Sequence, residues 1–245
     1  PWRGLASLAV LAAAIYFGAL SREPWVSIWP PHVLLMPFLC LLVAGTSVAS
    51  GRFADWPIVV LAAGFLFHGH VAQPLFVGLL GGLTLGLSLW QVRNSGISFA
   101  TTGRTHRRHL LVCATLIALF LLPLAVDLIS RGSRSNLATI LGRFAGNSEE
   151  HISLVRSTLY FLSFATSSRE QAELLAALTP ETRTFFADNA WRIAAWLAVL
   201  ISPPLFVWWR RDRFAPAERR FLLTAWAFLA TAIFGCLFWG KAQAG

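Results

Sequence analysis

The apolar residues of this chain are gathered into long blocks, with short polar stretches between them. Runs at 4–20, 32–50, 110–129, 190–209 and 221–239 approach the roughly 20 residues that cross a hydrocarbon core of about 30 Å. The block at 56–90 is too long for one pass, since as a single helix it would run about 50 Å. It is broken at His68-Gly69-His70-Val71-Ala72-Gln73-Pro74, where two histidines and a glutamine stand among hydrocarbon neighbours. Splitting it there gives arms at 56–67 and 74–90 and predicts an all-α fold, a polytopic transmembrane helix bundle of seven passes. The first arm is only about 18 Å long, so the break is expected below the far surface. Irregular backbone at that depth has to be buried in protein or line a wet cavity. The second arm carries Gly78, Gly82 and Gly86 at small-xxx-small spacing, which predicts close helix packing.

The polar stretches divide the chain into helices with a broken hairpin over 1–129, a helical segment outside the bilayer over 130–189, and two further passes over 190–245. The segment 91–109 reads as a basic loop with Arg93, Arg104, Arg107 and Arg108 and no acid, and 210–220 has five arginines against Asp212 and Glu218. The excess of arginine makes both of these cytoplasmic. An even number of passes separates them, so 130–189, in which arginines and acids balance, falls on the extracytoplasmic side, as do the 68–73 break and the loop around Trp25. Amphipathic helices are expected at 136–144, 148–164 and 168–178, and Thr179-Pro180-Glu181 reads as a cap with proline at the first helical position.

Composition agrees with a lipid bilayer as the main partner. The chain is 56% hydrophobic and 13% charged, against about 25% charged in soluble domains. The net charge of +9 sits at the ends of apolar runs and not on an exposed basic domain, so no nucleic-acid partner is expected. Lys241 is the only lysine, which looks like a high-GC bacterial coding bias more than a mechanism, and the expected location is the bacterial plasma (inner) membrane. Cys40, Cys113 and Cys236 lie in apolar runs without C-x-x-C spacing and read as small buried hydrophobes. The chain opens on Pro1 and is expected to be a piece of a longer protein. Walker, Rossmann and G-x-S-x-G signatures are absent.

Few polar groups are placed for chemistry, and each has a plainer alternative. On a helix His68 and His70 would point about 200° apart; in an extended turn both could line a cavity that binds phosphate or relays a proton. The alternative is a helix-breaking turn whose histidines bond backbone carbonyls. No third ligand has fitting spacing for zinc, and no cofactor is assigned, a divalent cation remaining open. Asp127 is either a functional acid near the outer surface or the partner of Arg131 one turn on. Glu149 and Glu150 read better as helix-start residues than as an acid/base pair. Trp25, Trp29 and the Pro30-Pro31-His32 corner form either an aromatic belt or a platform for a sugar or a polyprenyl tail.

Three stretches, taken in order, resemble a known family. Trp29-Pro30-Pro31-His32-Val33-Leu34-Leu35-Met36-Pro37-Phe38 resembles the W-N-P-H/Y-L-L-x-x-P-F segment of bacterial GT-C superfamily glycosyltransferases, nearest the family-39, mannosyltransferase-like branch. Phe67-His68-Gly69-His70-Val71 is similar to their F-x-x-Q-x-H-x-G-Y break, with His70 matching the histidine. Leu122-Pro123-Leu124-Ala125-Val126-Asp127-Leu128, then Ser135-Asn136-Leu137 and Gly142-Arg143-Phe144, resembles P-P-x-x-D-x-L, G-N-L and R-F. Proline stands at Pro30 in place of asparagine, and the glutamine of Q-x-H is missing, Gln73 having no counterpart. The resemblance implies transfer of a sugar from a polyprenyl-phosphate donor to a cell-envelope acceptor on the outer side. It implies a catalytic carboxylate upstream of Pro1, and His70, Arg131, Arg134 and Arg143 as partners of the donor phosphate. His68, Gln73, Asp127, Trp29 and His32 complete the candidate substrate contacts. A transporter or flippase of a lipid-linked saccharide, or an inactive scaffold subunit, is the rival expectation, because broken helices also build transporter sites.

Overall fold

A computed structural model of the chain describes residues 33–70, 72–96, 99–135 and 180–242, and the single positions 138, 154, 157, 158 and 162. The expected first pass at 4–20, the Trp25–Trp29 loop with His32, and Arg143 lie outside the described residues, as do nearly all of the amphipathic helices expected over 136–178. Among the described residues the regular structure is entirely helical. The helices are α1 (Leu35–Ala49), α2 (Trp56–Gly69), α3 (Gln73–Asn94), α4 (Phe99–Thr105), α5 (Arg107–Arg131), α6 (Pro180–Asp188), α7 (Ala190–Trp209) and α8 (Pro216–Ala242). Four of them, α3, α5, α7 and α8, are long and apolar enough to cross a membrane. At 15 and 14 residues, α1 and α2 are apolar but shorter, only about 21–23 Å long.

The bundle centres on α1, α2, α3 and α8, with α5 laid against α2 and α7 against α8. Leu41 and Val48 of α1, Leu66 of α2, Leu80 of α3 and Phe228 of α8 meet in its core. Phe228 is 1% exposed, and its ring lies so near Gly45 that a Cβ there would fall 2.6 Å from its Cε1 and 2.9 Å from Thr84 Oγ1. Two interior hydroxyls of α3 are satisfied within that helix: Thr84 donates to the Leu80 carbonyl at 2.8 Å and Ser88 to that of Thr84 at 2.6 Å. Gly64 admits the Phe120 ring of α5, and Gly235 admits Phe76. These are the glycines that let helices approach. Gly78, Gly82 and Gly86 are exposed, with nothing among the described residues within 4 Å of where a Cβ would stand. The spacing expected to pack helices instead lies on an open face of α3.

Apart from Pro123 inside α5, the prolines of the described helices fall where their missing N–H is harmless or is compensated. Pro37 sits in the first turn of α1, which needs no intrahelical donor. Pro57, Pro74, Pro180 and Pro216 open α2, α3, α6 and α8. Pro203 and Pro204 lie inside α7 and strip the donors from the carbonyls of Val199 and Leu200. The Ser202 hydroxyl, at 3.4 Å, reaches the first, and Trp226 Nε1 of α8 donates to the second at 3.0 Å.

At one end of the bundle the turn after α1 uses Gly51 at φ 111°, a conformation natural to glycine. Ser47 donates to Asp55 at 2.5 Å, Arg52 pairs with Asp55 at 3.7 Å, and Gln91 of α3 donates to the Ala49 carbonyl at the end of α1. The segment 91–109, expected as a loop, is largely helical: α3 runs through Asn94, and α4 occupies Phe99–Thr105. Cys40 and Cys236 are exposed on the apolar surface, against expectation, while Cys113 is buried.

Candidate functional site

The break in the 56–90 block falls where the sequence placed it. In one continuous helix the ring of Pro74 would crowd the carbonyl of residue 70, which favours the chain leaving the helix before it. It does so at His70, which is extended at φ −161° and ψ 147°, and helix resumes at Gln73. Gly69 closes α2 in a place where a Cβ would lie 2.7 Å from Leu34 Cδ1, so the start of α1 stands beside the break.

Both histidines are engaged with backbone. His68 Nε2 meets the Phe120 carbonyl of α5 at 2.8 Å, and its ring stacks on that of Phe120 at 5.9 Å. A carbonyl only accepts, so His68 carries its proton on Nε2. Phe120 lies three residues before Pro123, which sits inside α5 and deprives the neighbouring Leu119 carbonyl of its helical donor. His68 thereby supplies a donor beside that turn of α5. His70 Nδ1 accepts the Ala72 N–H at 3.2 Å, and its carbonyl accepts the Gln73 N–H at 2.9 Å, closing the turn. The Gln73 Oε1 atom is buried and has no hydrogen-bond partner in the structure.

The contact with Phe120 fixes the depth of the break. From Phe120 to the end of α5 at Arg131 is a further 11 residues, or about 16 Å of helix. The C-terminal part of α5 therefore projects well past the tips of α1 and α2, and its side chains are bare: Leu122 is 60% exposed and Ile129 85%. Near its end Asp127 and Arg131 form an i,i+4 pair at 3.4 Å, and Arg134 follows, exposed, in a 3-10 turn over Gly132–Arg134.

The candidate residues thus fall into two tiers. His68, His70 and Gln73 gather at the break, and Asp127 stands about 10 Å and Arg131 about 16 Å further along α5, with Arg134 beyond. The tiers do not form one contact shell, and a ligand touching both would need a polar part of about 10–16 Å. Trp29, His32 and Arg143 lie outside the described residues. Among the described residues no three His, Cys, Asp or Glu side chains are grouped to hold a metal ion. Sequence reasoning missed the Phe120 carbonyl as the partner of His68; the available signal was Pro123, which marks a turn lacking a donor without saying which group comes beside it. Comparison with known protein families, characterised proteins and solved structures finds no match to this chain.

Proposed function

We propose that the chain is a piece, seven passes long, of a bacterial membrane glycosyltransferase of GT-C type, taking a sugar from a polyprenyl-phosphate donor on the extracytoplasmic side. The observation that carries this reading is the depth of the broken hairpin. Its polar tier lies about 16 Å below Arg131 and further below Arg134, beside an exposed apolar stretch of α5. A lipid-linked donor has that order of parts: a hydrocarbon chain along an apolar helix, and a phosphate and sugar between histidine and arginine groups. Arg143 would join them on this reading, and the buried Gln73 Oε1 would accept a sugar hydroxyl.

The mid-depth break also favours a second reading, a transporter of a lipid-linked saccharide, since transporters place sites at broken helices near the midplane. One experiment separates the two. Membranes carrying the protein are given a radiolabelled polyprenyl-phosphate sugar, and label is followed into envelope glycan and across the bilayer. Transfer that falls at least tenfold in His70→Ala at unchanged protein level supports the transferase, tenfold being about 1.4 kcal/mol of transition-state binding. Translocation without transfer supports the transporter, and transfer unaffected by His70→Ala removes His70 from the donor site.

A further inference from the structure

At the end of the bundle opposite the histidine break, two compartments join. The first, about 470 Å³, lies among the helix ends and is lined by Gln91, Asn94, Thr102, Thr105, His106 and Arg220. The second, about 360 Å³, runs along α2, α3 and α5 and is lined by Val60, Leu85, Leu89, Leu110, Cys113 and Ile117. Phe53, Val92, Thr102 and His106 line both, so the two are continuous. Both volumes fall in the usual range of small-molecule sites, about 300–1,000 Å³.

Arg220 starts α8, and Gln91 to His106 belong to the other basic segment, so the groove is where the two arginine-rich segments come together. Those segments hold nine arginines against Asp212 and Glu218. His109 lines the apolar compartment, and its buried Nδ1 has no hydrogen-bond partner in the structure. Polar groups at the helix ends followed by hydrocarbon along the helix sides is the order of a phospholipid, headgroup then chain. The prevailing charge selects the sign of the headgroup, and basic pockets between membrane helices are a known way to hold anionic ones.

We propose that this groove binds one anionic phospholipid, its phosphate against Arg220 and His106 and one acyl chain between α2, α3 and α5. The site lies at the other end of the molecule from the histidine break and does not depend on the sugar-transfer reading.

The test is native mass spectrometry of the full chain released from detergent after incubation with phosphatidylglycerol or phosphatidylcholine of the same acyl chains. Phosphatidylglycerol should be retained about tenfold better, the size expected of one charge-assisted contact. Arg220→Gln should bring its retention to the phosphatidylcholine level, while Arg213→Gln, at the same end but outside the lining, should not. Leu89→Trp, which fills the apolar compartment at a half-exposed position, should reduce retention of phosphatidylglycerol with every arginine intact. Equal retention of the two lipids overturns the proposal. Equal loss in Arg213→Gln and Arg220→Gln overturns it too, by making the attraction diffuse. Displacement by inorganic phosphate, with Leu89→Trp silent, would make this a soluble-phosphate site and overturn the lipid assignment. Should Arg220→Gln fail to fold, Leu89→Trp and the lipid comparison decide alone.

Discussion

The indole of Trp226 gives the sharpest test of how this bundle tolerates prolines. Pro204 deprives the Leu200 carbonyl of its helical donor, and Trp226 Nε1 replaces it from α8 at 3.0 Å. Trp226→Phe keeps most of the ring and removes the donor. In a soluble core an unsatisfied carbonyl costs about 1–3 kcal/mol; measured side-chain bonds between membrane helices average about 0.6 and reach about 1.7 kcal/mol. Trp226 is 37% exposed on an apolar surface, where no water stands in for the indole, so we expect a loss of about 1–1.5 kcal/mol. That figure alone would not separate hydrogen bonding from lost packing. A cycle with Pro204→Ala does, because alanine at that position restores an N–H that the Leu200 carbonyl can accept from its own helix. In that background Trp226→Phe should cost about 1 kcal/mol less. Unfolding in mixed micelles titrated with denaturing detergent reads all four corners. Equal cost of Trp226→Phe in both backgrounds would refute the reasoning and reduce Trp226 to packing.

Other outcomes follow from the same geometry. Gly45→Val drives a side chain into Phe228 and Thr84 and should cost about 1–3 kcal/mol in the same assay, whereas Gly82→Ala on the open face of α3 should stay within about 0.5 kcal/mol; similar costs for both would undo the packing described here. His68→Phe keeps the stack on Phe120 and removes the donor to its carbonyl, for an expected loss of about 1 kcal/mol, and His68→Gln, which can still donate, should recover part of it. On the proposed topology, a cysteine at position 167 should react with an impermeant thiol reagent in intact cells and one at position 102 should not; the reverse pattern would invert the molecule.

How legible this was varies with the kind of signal. The break at His70 could be read because glycine, two polar rings and Pro74 act locally, within one turn. The bounds of α7, Ala190–Trp209, could be read because apolar run and helix coincide there. Gly78, Gly82 and Gly86 misled because spacing says which residues share a face and not which helix covers it; the glycines used, Gly45, Gly64 and Gly235, have no second glycine four residues away. The helical backbone within 91–109 was hidden because arginine fits a loop and a helix equally well. Asp127 with Arg131 was foreseeable, being four residues apart on one helix. Pairings between distant segments were not: Ser47 with Asp55, Gln91 with Ala49 and Trp226 with Leu200 depend on which helices become neighbours.

The shortness of α1 and α2 has a consequence for the lipid around them. Their outward faces are greasy, with Val43 63% and Phe65 55% exposed, yet they are about 21–23 Å long against a hydrocarbon thickness of about 30 Å. A bilayer meeting such a wall dimples toward it, at a modest elastic cost for each ångström of mismatch. On that flank the oily layer would be thinner by about 7–9 Å. A polar head moving toward His70 along α1 and α2 would then have that much less hydrocarbon to traverse than anywhere else on the perimeter, and the protein would settle most comfortably in thin membranes.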